Sequence, residues 1–206
     1  APERLDDTFL DRLLARCSDH LSLLAAPATL DRTCDFDETT FEAMIEVAQS
    51  GVPALILDLP HVWTSWMRRV LVAADEIVLT AEPDLANLRN AKNLLDLLRQ
   101  TRPGDVPPRL VVNKQGMPKR PEIKVADFAA ALSIEPIAVI GFDPQLFGTA
   151  ANNGQMIAET DAKSAAATAF DQIAQIVTAR TEVKQKKGSA LAPLIARLRN
   201  RKSGGA

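Results

Sequence analysis

Five near-continuous apolar runs of strand length, separated by longer amphipathic stretches, constrain the fold more than any other feature of this chain. They are LSLLAAP (21–27), PALILDLP (53–60), DEIVLTAEP (75–83), PPRLVVNK (107–114) and EPIAVIGFDP (135–144). A strand with one wet face alternates apolar and polar residues, whereas a continuous apolar run marks a strand covered on both faces, as in a parallel sheet. Between the runs lie helix-like segments: DDTFLDRLLARC, DETTFEAMIEVAQSG closing at Gly51, the stretch 62–74 with Arg68 and Arg69 in its middle, PDLANLRNAKNLLDLLRQ and DAKSAAATAFDQIAQIVTAR. Pro83 and Asp84 stand where both favour the start of a helix. The alternation predicts an α/β fold built on a doubly wound, mostly parallel sheet.

Charge divides the chain into two parts. The 206 residues carry a net charge of −2, too balanced for a general nucleic-acid binder. Yet Lys184, Lys186, Lys187, Arg197, Arg199, Arg201 and Lys202 face only Glu182 in the stretch 182–202. A main domain over 1–181 and a basic linker with a short tail over 182–206 are therefore expected. From Ser189 onward Leu191, Leu194, Ile195 and Leu198 fall on one helical face, with Arg197 and Arg199 beside them. Such a segment suits an anionic membrane surface, the alternatives being packing on the acidic body or disorder. No apolar run approaches the ~20 residues of a spanning helix. Two cysteines, Cys17 and Cys34, fit a reducing cytoplasm rather than a disulfide scaffold. The first methionine is Met44, so the chain reads as part of a longer one.

Ligands of such sheets sit beyond the carboxyl ends of the strands. That rule selects Pro27, Asp58, Glu82–Pro83, Asn113–Lys114 and Phe142–Asp143–Pro144. Asp58 ends an apolar run and could serve Mg²⁺ or merely cap a helix. Asn113 offers both a donor and an acceptor, enough to pair with a purine edge or to bond the backbone of its own turn. With only His20 and His61 present, histidine triads and multi-histidine metal sites are nearly excluded, and no metal site is expected. Cys17, His20 and Cys34 read as packing rather than ligands, as do Trp63 and Trp66, three apart on one helix face. The Lys119–Arg120 pair between prolines could meet phosphate or an acidic partner, or stay solvated. The stretch 145–159, with Asn152, Asn153 and Gly154, suits a tight loop beside a ligand or a second subunit.

Taken in order, LILDLPHVW (55–63), ADEIVLTAEPDLANLRNAKNLLDLLR (74–99), PPRLVVNKQGMPKRPEI (107–123) and IGFDPQLFGTAANNGQMIAE (140–159) resemble the ParA/MinD superfamily of deviant-Walker P-loop ATPases, and within it the CpaE/TadZ type of pilus-assembly protein. The resemblance implies an ATP- and Mg²⁺-dependent homodimer that places a Tad-type pilus apparatus, in the cytoplasm at the inner face of the membrane or the cell pole. By resemblance Asp58 is the Walker B acid, and Pro60 and His61 belong to a switch loop. Asn113 and Lys114, with Phe142, Asp143 and Pro144, line the base pocket. Pro83, Asp84, Asn87, Arg89 and Asn90 lie at the dimer edge.

One departure limits this. A phosphate cradle needs a Gly-rich loop ending in Gly-Lys-Ser/Thr, and none of the nine glycines here precedes a lysine. The chain is expected to be a C-terminal portion that does not hydrolyse ATP by itself. Without a P-loop strand, the run ending at Asp58 and the run at 75–81 would expose free edges or close against each other. A nucleotide-independent adaptor that localises pilus or polar proteins is the rival expectation.

Overall fold

A computed structural model describes residues 7–26 and 38–178. The chain divides into two compact units, Ala1–Ile77 and Val78–Ala206.

The first unit holds helix α1 (Asp7–Leu13), a two-stranded antiparallel hairpin of β1 (Ala15–Arg16) and β2 (Ser22–Leu23), and helices α2 (Glu38–Gly51) and α3 (Ser65–Ala73). Thr64 caps α3, its Oγ1 accepting from Met67 N at 3.3 Å. The two longer helices are joined by a stacked pair, Phe41 on Trp66 with centroids 4.3 Å apart. Arg69 adds ion pairs to Glu38 at 2.7 Å and Glu42 at 2.9 Å. Trp66 therefore packs as expected, whereas Trp63 is exposed.

Two of the five expected strands are corrected here. The run 21–27 contributes only Ser22–Leu23, in an antiparallel hairpin. The run 53–60 forms no strand at all, and Leu55, Ile56 and Leu57 are exposed, Ile56 by 87%. Composition gave this run a strand's character, but a strand also needs neighbours for its N–H and C=O groups. Pro53 and Pro60 at its ends further remove two donors.

In the second unit β3 (Val78–Ala81), β4 (Arg109–Gln115) and β5 (Pro136–Gly141) form a parallel sheet in the order β3-β4-β5. Helix α4 (Leu85–Thr101) crosses from β3 to β4, and α5 (Val125–Leu132) from β4 to β5. Side chains of a strand alternate between faces, and β4 does so with both faces covered. Leu110 and Val112 pack with Ala91 and Leu95 of α4 and Phe128 and Leu132 of α5. Val111 lies with Ala138 and Ile140 of β5 and with Ala166 and Ala169 of helix α8 (Ala165–Val177). This double covering makes β4 the centre of the core and explains its unbroken apolar sequence. β3 and β5 are edge strands of this sheet.

Helix α5, absent from the expected elements, closes at Ser133 in left-handed backbone (φ 58°), where Arg99 of α4 donates to Leu132 O at 3.2 Å. Residues 144–153, expected as loop, form helix α6 (Pro144–Asn153), followed by the one-turn α7 (Ile157–Thr160). Asp143 caps α6 and Pro144 opens it, an arrangement that favours a helix over a turn. Gly154 ends it at φ 64°, so the expected left-handed turn lies there as a C-cap.

Candidate functional site

The exits of β3, β4 and β5 meet along one end of the parallel sheet. At the first, Ala81 and Pro83 are buried, and Asp84 caps α4 by accepting from Asn87 N at 2.8 Å and from Asn87 Nδ2 at 3.0 Å. These bonds hold the Asp84 carboxyl below its usual range, with Asn87 N as the main cause. At the second exit the backbone turns through two left-handed residues, Lys114 (φ 54°) and Gly116 (φ 80°). Lys114 N donates to Asn113 Oδ1 at 2.9 Å. At the third, Phe142 N donates to Gln115 O at 2.7 Å, and Asp143 Oδ1 accepts from Leu146 N at 2.9 Å.

A four-membered charge cluster ties the first two exits together. Glu82 receives Lys114 Nζ at 2.7 Å on one oxygen and Arg120 Nη1 on the other. Glu122, two residues beyond Arg120, accepts from Gly116 N at 3.1 and 3.0 Å and from Met117 N at 3.0 Å. Ile123 N completes the strap by donating to Pro83 O at 2.8 Å. The carboxyls of Glu82 and Glu122 both lie below their ordinary value, Glu82 chiefly through Lys114 and then Arg120, Glu122 chiefly through Gly116 N. Arg120 is raised, first by its bond to Glu82. Every shift moves a group away from neutrality. The cluster is built to hold charge and position, since a general acid or base needs a pKa near the working pH.

The structure thus brings Pro83, Asp84, Asn113, Lys114, Phe142, Asp143 and Pro144 to the strand exits. Asp84 and Asn87 of the expected dimer edge are engaged with each other, whereas Arg89 and Asn90 are exposed on α4. Asp58, Pro60 and His61 lie exposed in the first unit, outside any strand. Cys17 and His20 are exposed too, which corrects their reading as packed side chains, while Cys34 lies outside the described residues. So do Pro27, the linker, and Leu191, Leu194, Ile195, Arg197, Leu198 and Arg199 of the tail. Glu122 was not among the expected site residues. Arg120 was, and its acidic partner is Glu82 of the same chain.

Asn113 is half-buried and its Nδ2 has no partner among the described residues, and Phe142, at the adjoining exit of β5, is half-buried too. Lys114 and Arg120 are both paired with Glu82, whereas Lys119 is exposed in the same loop. Among the described residues no three His, Cys, Asp or Glu side chains are grouped to hold a metal ion.

The arrangement of sheet and exits has counterparts of known structure. A ParA family ATPase from Chlorobium tepidum TLS superposes with a TM-score of 0.70 at 21% identity, over 86% of this chain and 71% of that one. The septum site-determining protein MinD of Pyrococcus horikoshii OT3, solved with Mg-ADP, gives 0.60 at 19% identity, over 73% of this chain and 60% of that one. The chain has the ParA/MinD fold. In sequence it is 27% identical over 163 residues to the septum site-determining protein MinD of Bacillus subtilis (strain 168), a match covering 78% of this chain and 59% of that relative. The chain therefore spans about six-tenths of that relative's length. No family model matches it. Among the described residues no helix is long and apolar enough to cross a membrane.

Proposed function

We propose that the protein is a nucleotide-dependent positioning factor of the ParA/MinD kind, and within it a CpaE/TadZ-type protein that places a Tad-type pilus apparatus. The observation that supports this reading is the parallel sheet whose adjoining β4 and β5 exits carry a free Asn113 donor and Phe142, in a fold shared with MinD solved with Mg-ADP. In this reading the exits take the adenine end of ATP. Asp58 is the Walker B acid of this reading, and Pro60 and His61 belong to its switch loop. Dimerisation uses the edge bearing Arg89 and Asn90. The basic tail beyond 182 binds an anionic membrane surface, which sets the protein at the inner face of the membrane or the cell pole.

The adaptor reading is favoured by Asp58, which is exposed and outside any strand. Titration of the complete protein with Mg-ATP separates the two. Micromolar binding that is lost in Asp58→Ala and weakened about tenfold in Asn113→Ala supports the switch. Absence of nucleotide binding, with pilus components still captured, establishes the adaptor. Co-sedimentation with anionic vesicles, with and without residues 184–206, tests the tail.

A further inference from the structure

Glu82, at the exit of β3, ion-pairs both with Lys114 at the exit of β4 and with Arg120 in the loop that follows. We infer that Glu82 is a positioning residue for Asn113, holding the β4 exit in the backbone arrangement that engages Asn113 Oδ1 and leaves Nδ2 as the donor for a ligand acceptor. Three features lead there. Lys114 adopts left-handed backbone at φ 54°, a region disfavoured for residues with a Cβ. It is held there from both ends, by its N–H on Asn113 Oδ1 at 2.9 Å and by its Nζ on Glu82 at 2.7 Å. Releasing the side chain removes one of the two restraints against a return to ordinary backbone, and that return would withdraw the N–H from Asn113.

The second feature is Arg120. Its Nε and Nη2 are buried without a hydrogen-bond partner, and Nη2 stands 3.6 Å from Glu122 Oε1. Among the described residues, the one direct hydrogen bond this guanidinium donates is therefore that from Nη1 to Glu82. Without Glu82 the half-buried guanidinium keeps only Glu122 at 3.6 Å and loses its hydrogen-bonded counter-charge, which draws it toward water, and Arg120 would take the loop 116–122 with it. The third feature is that this loop is the same one whose Gly116 and Met117 amides sit on Glu122 and whose preceding residue is Gln115, the acceptor for Phe142 N. Disturbance at Glu82 thus reaches Asn113 through the chain itself.

The Nδ2 of Asn113 is a donor, and the group it fits is a ring nitrogen or carbonyl acceptor. In a nucleotide this is an acceptor on the purine edge. This inference rests on the proposed nucleotide reading for its ligand, but not for its geometry.

The test uses the ¹⁵N-labelled complete protein, its Glu82→Gln, Glu82→Asp and Arg120→Gln variants, and Mg-ATP as probe. Amide exchange at Lys114, Gly116 and Met117 should quicken about tenfold in Glu82→Gln and Arg120→Gln, and recover at least partly in Glu82→Asp. Mg-ATP affinity, followed at the Asn113 side-chain amide, should weaken about tenfold in Glu82→Gln, yet not weaken further when Asn113→Ala is already present. Unchanged exchange in Glu82→Gln overturns the inference, as does an equal loss of affinity in both backgrounds. If Mg-ATP leaves the Asn113 amide of the parent unmoved, the nucleotide reading falls, and the exchange arm alone still decides whether Glu82 holds this exit. Should Glu82→Gln fail to fold, Arg120→Gln carries the same comparison.

Discussion

The carboxylate of Glu122 straddles the amide of Gly116, with its two oxygens 3.1 and 3.0 Å from the same nitrogen. Met117 N adds a third bond at 3.0 Å. These bonds favour the ionised form and hold the Glu122 carboxyl below its ordinary value of 4.5. Glu82 and Asp84, on the same edge, are lowered as well. A group depressed on folding contributes stability that is complete above its unfolded pKa and is lost as pH falls through its folded pKa. The second unit should accordingly be insensitive to pH between about 6 and 8 and lose stability progressively below about pH 4.5. Urea midpoints measured from pH 7 to pH 3 check this. Glu122→Gln should flatten part of the acid limb, and an acid limb identical to that of the parent would count against the clamp.

Asp84 and Asn87 form a closed cap at the start of α4, the carboxylate accepting from Asn87 N on one oxygen and from Asn87 Nδ2 on both. Removing an N-cap costs about 1 kcal/mol, within a range of roughly 0.5–2. For a unit of this size that corresponds to a fall in melting temperature of about 4–8 °C in Asp84→Ala. Asp84→Asn keeps an acceptor in place and should fall by less. Calorimetry on the two variants distinguishes the cap from a general charge effect.

The sheet was legible in the sequence where its strands are covered on both faces. Leu110, Val111 and Val112 announce β4 because α4 and α5 take one side and α8 the other. The same composition misleads at 53–60, since an apolar run records what a segment would bury and not whether partner strands stand beside it. Helix α5 went unseen because Pro118 and Pro121 precede it and its only large apolar residues in the middle and last turn are Phe128 and Leu132. At the exits, Asn113 and Asp143 could be named from their positions after apolar runs. The partnership of Glu82 with Arg120 joins residues 38 apart, and no local pattern encodes it. The KR pair in MPKRPEI was its one trace, and only half of it is engaged by Glu82.

Phe128 has no exposed surface and meets Leu110, Val112, Leu95 and Leu132 in the layer between the sheet and α4–α5. Truncation of a buried Phe to Ala costs about 3–5 kcal/mol through lost transfer energy and the cavity left behind. Because total stabilities of small domains are commonly ~5–15 kcal/mol, Phe128→Ala should leave the second unit marginal at 37 °C. Phe128→Leu, which fills most of the volume, should retain most of the parent's denaturation midpoint. Guanidinium unfolding followed by far-UV circular dichroism measures both.

Ile56 is the most exposed large apolar residue on the chain's described surface, at 87%, and it sits in an extended run with Leu55 and Leu57 exposed beside it. Six successive residues from Ala54 to Leu59 lie outside every helix and strand. Apolar, β-prone segments of about this length, with free backbone groups, associate with other strands. Pro53 and Pro60 confine the hazard to those six residues, and Asp58 supplies their one charge. A second charge at the centre should therefore suffice to suppress association. Ile56→Lys is expected to lower the weight-average mass at 100 µM (on the order of the concentrations where such contacts matter) without shifting the thermal transition by more than about 0.5 kcal/mol, the usual scale for surface substitutions. Sedimentation velocity at rising concentration reads the first and calorimetry the second. If parent and variant sediment alike at every concentration, the run is inert despite its exposure.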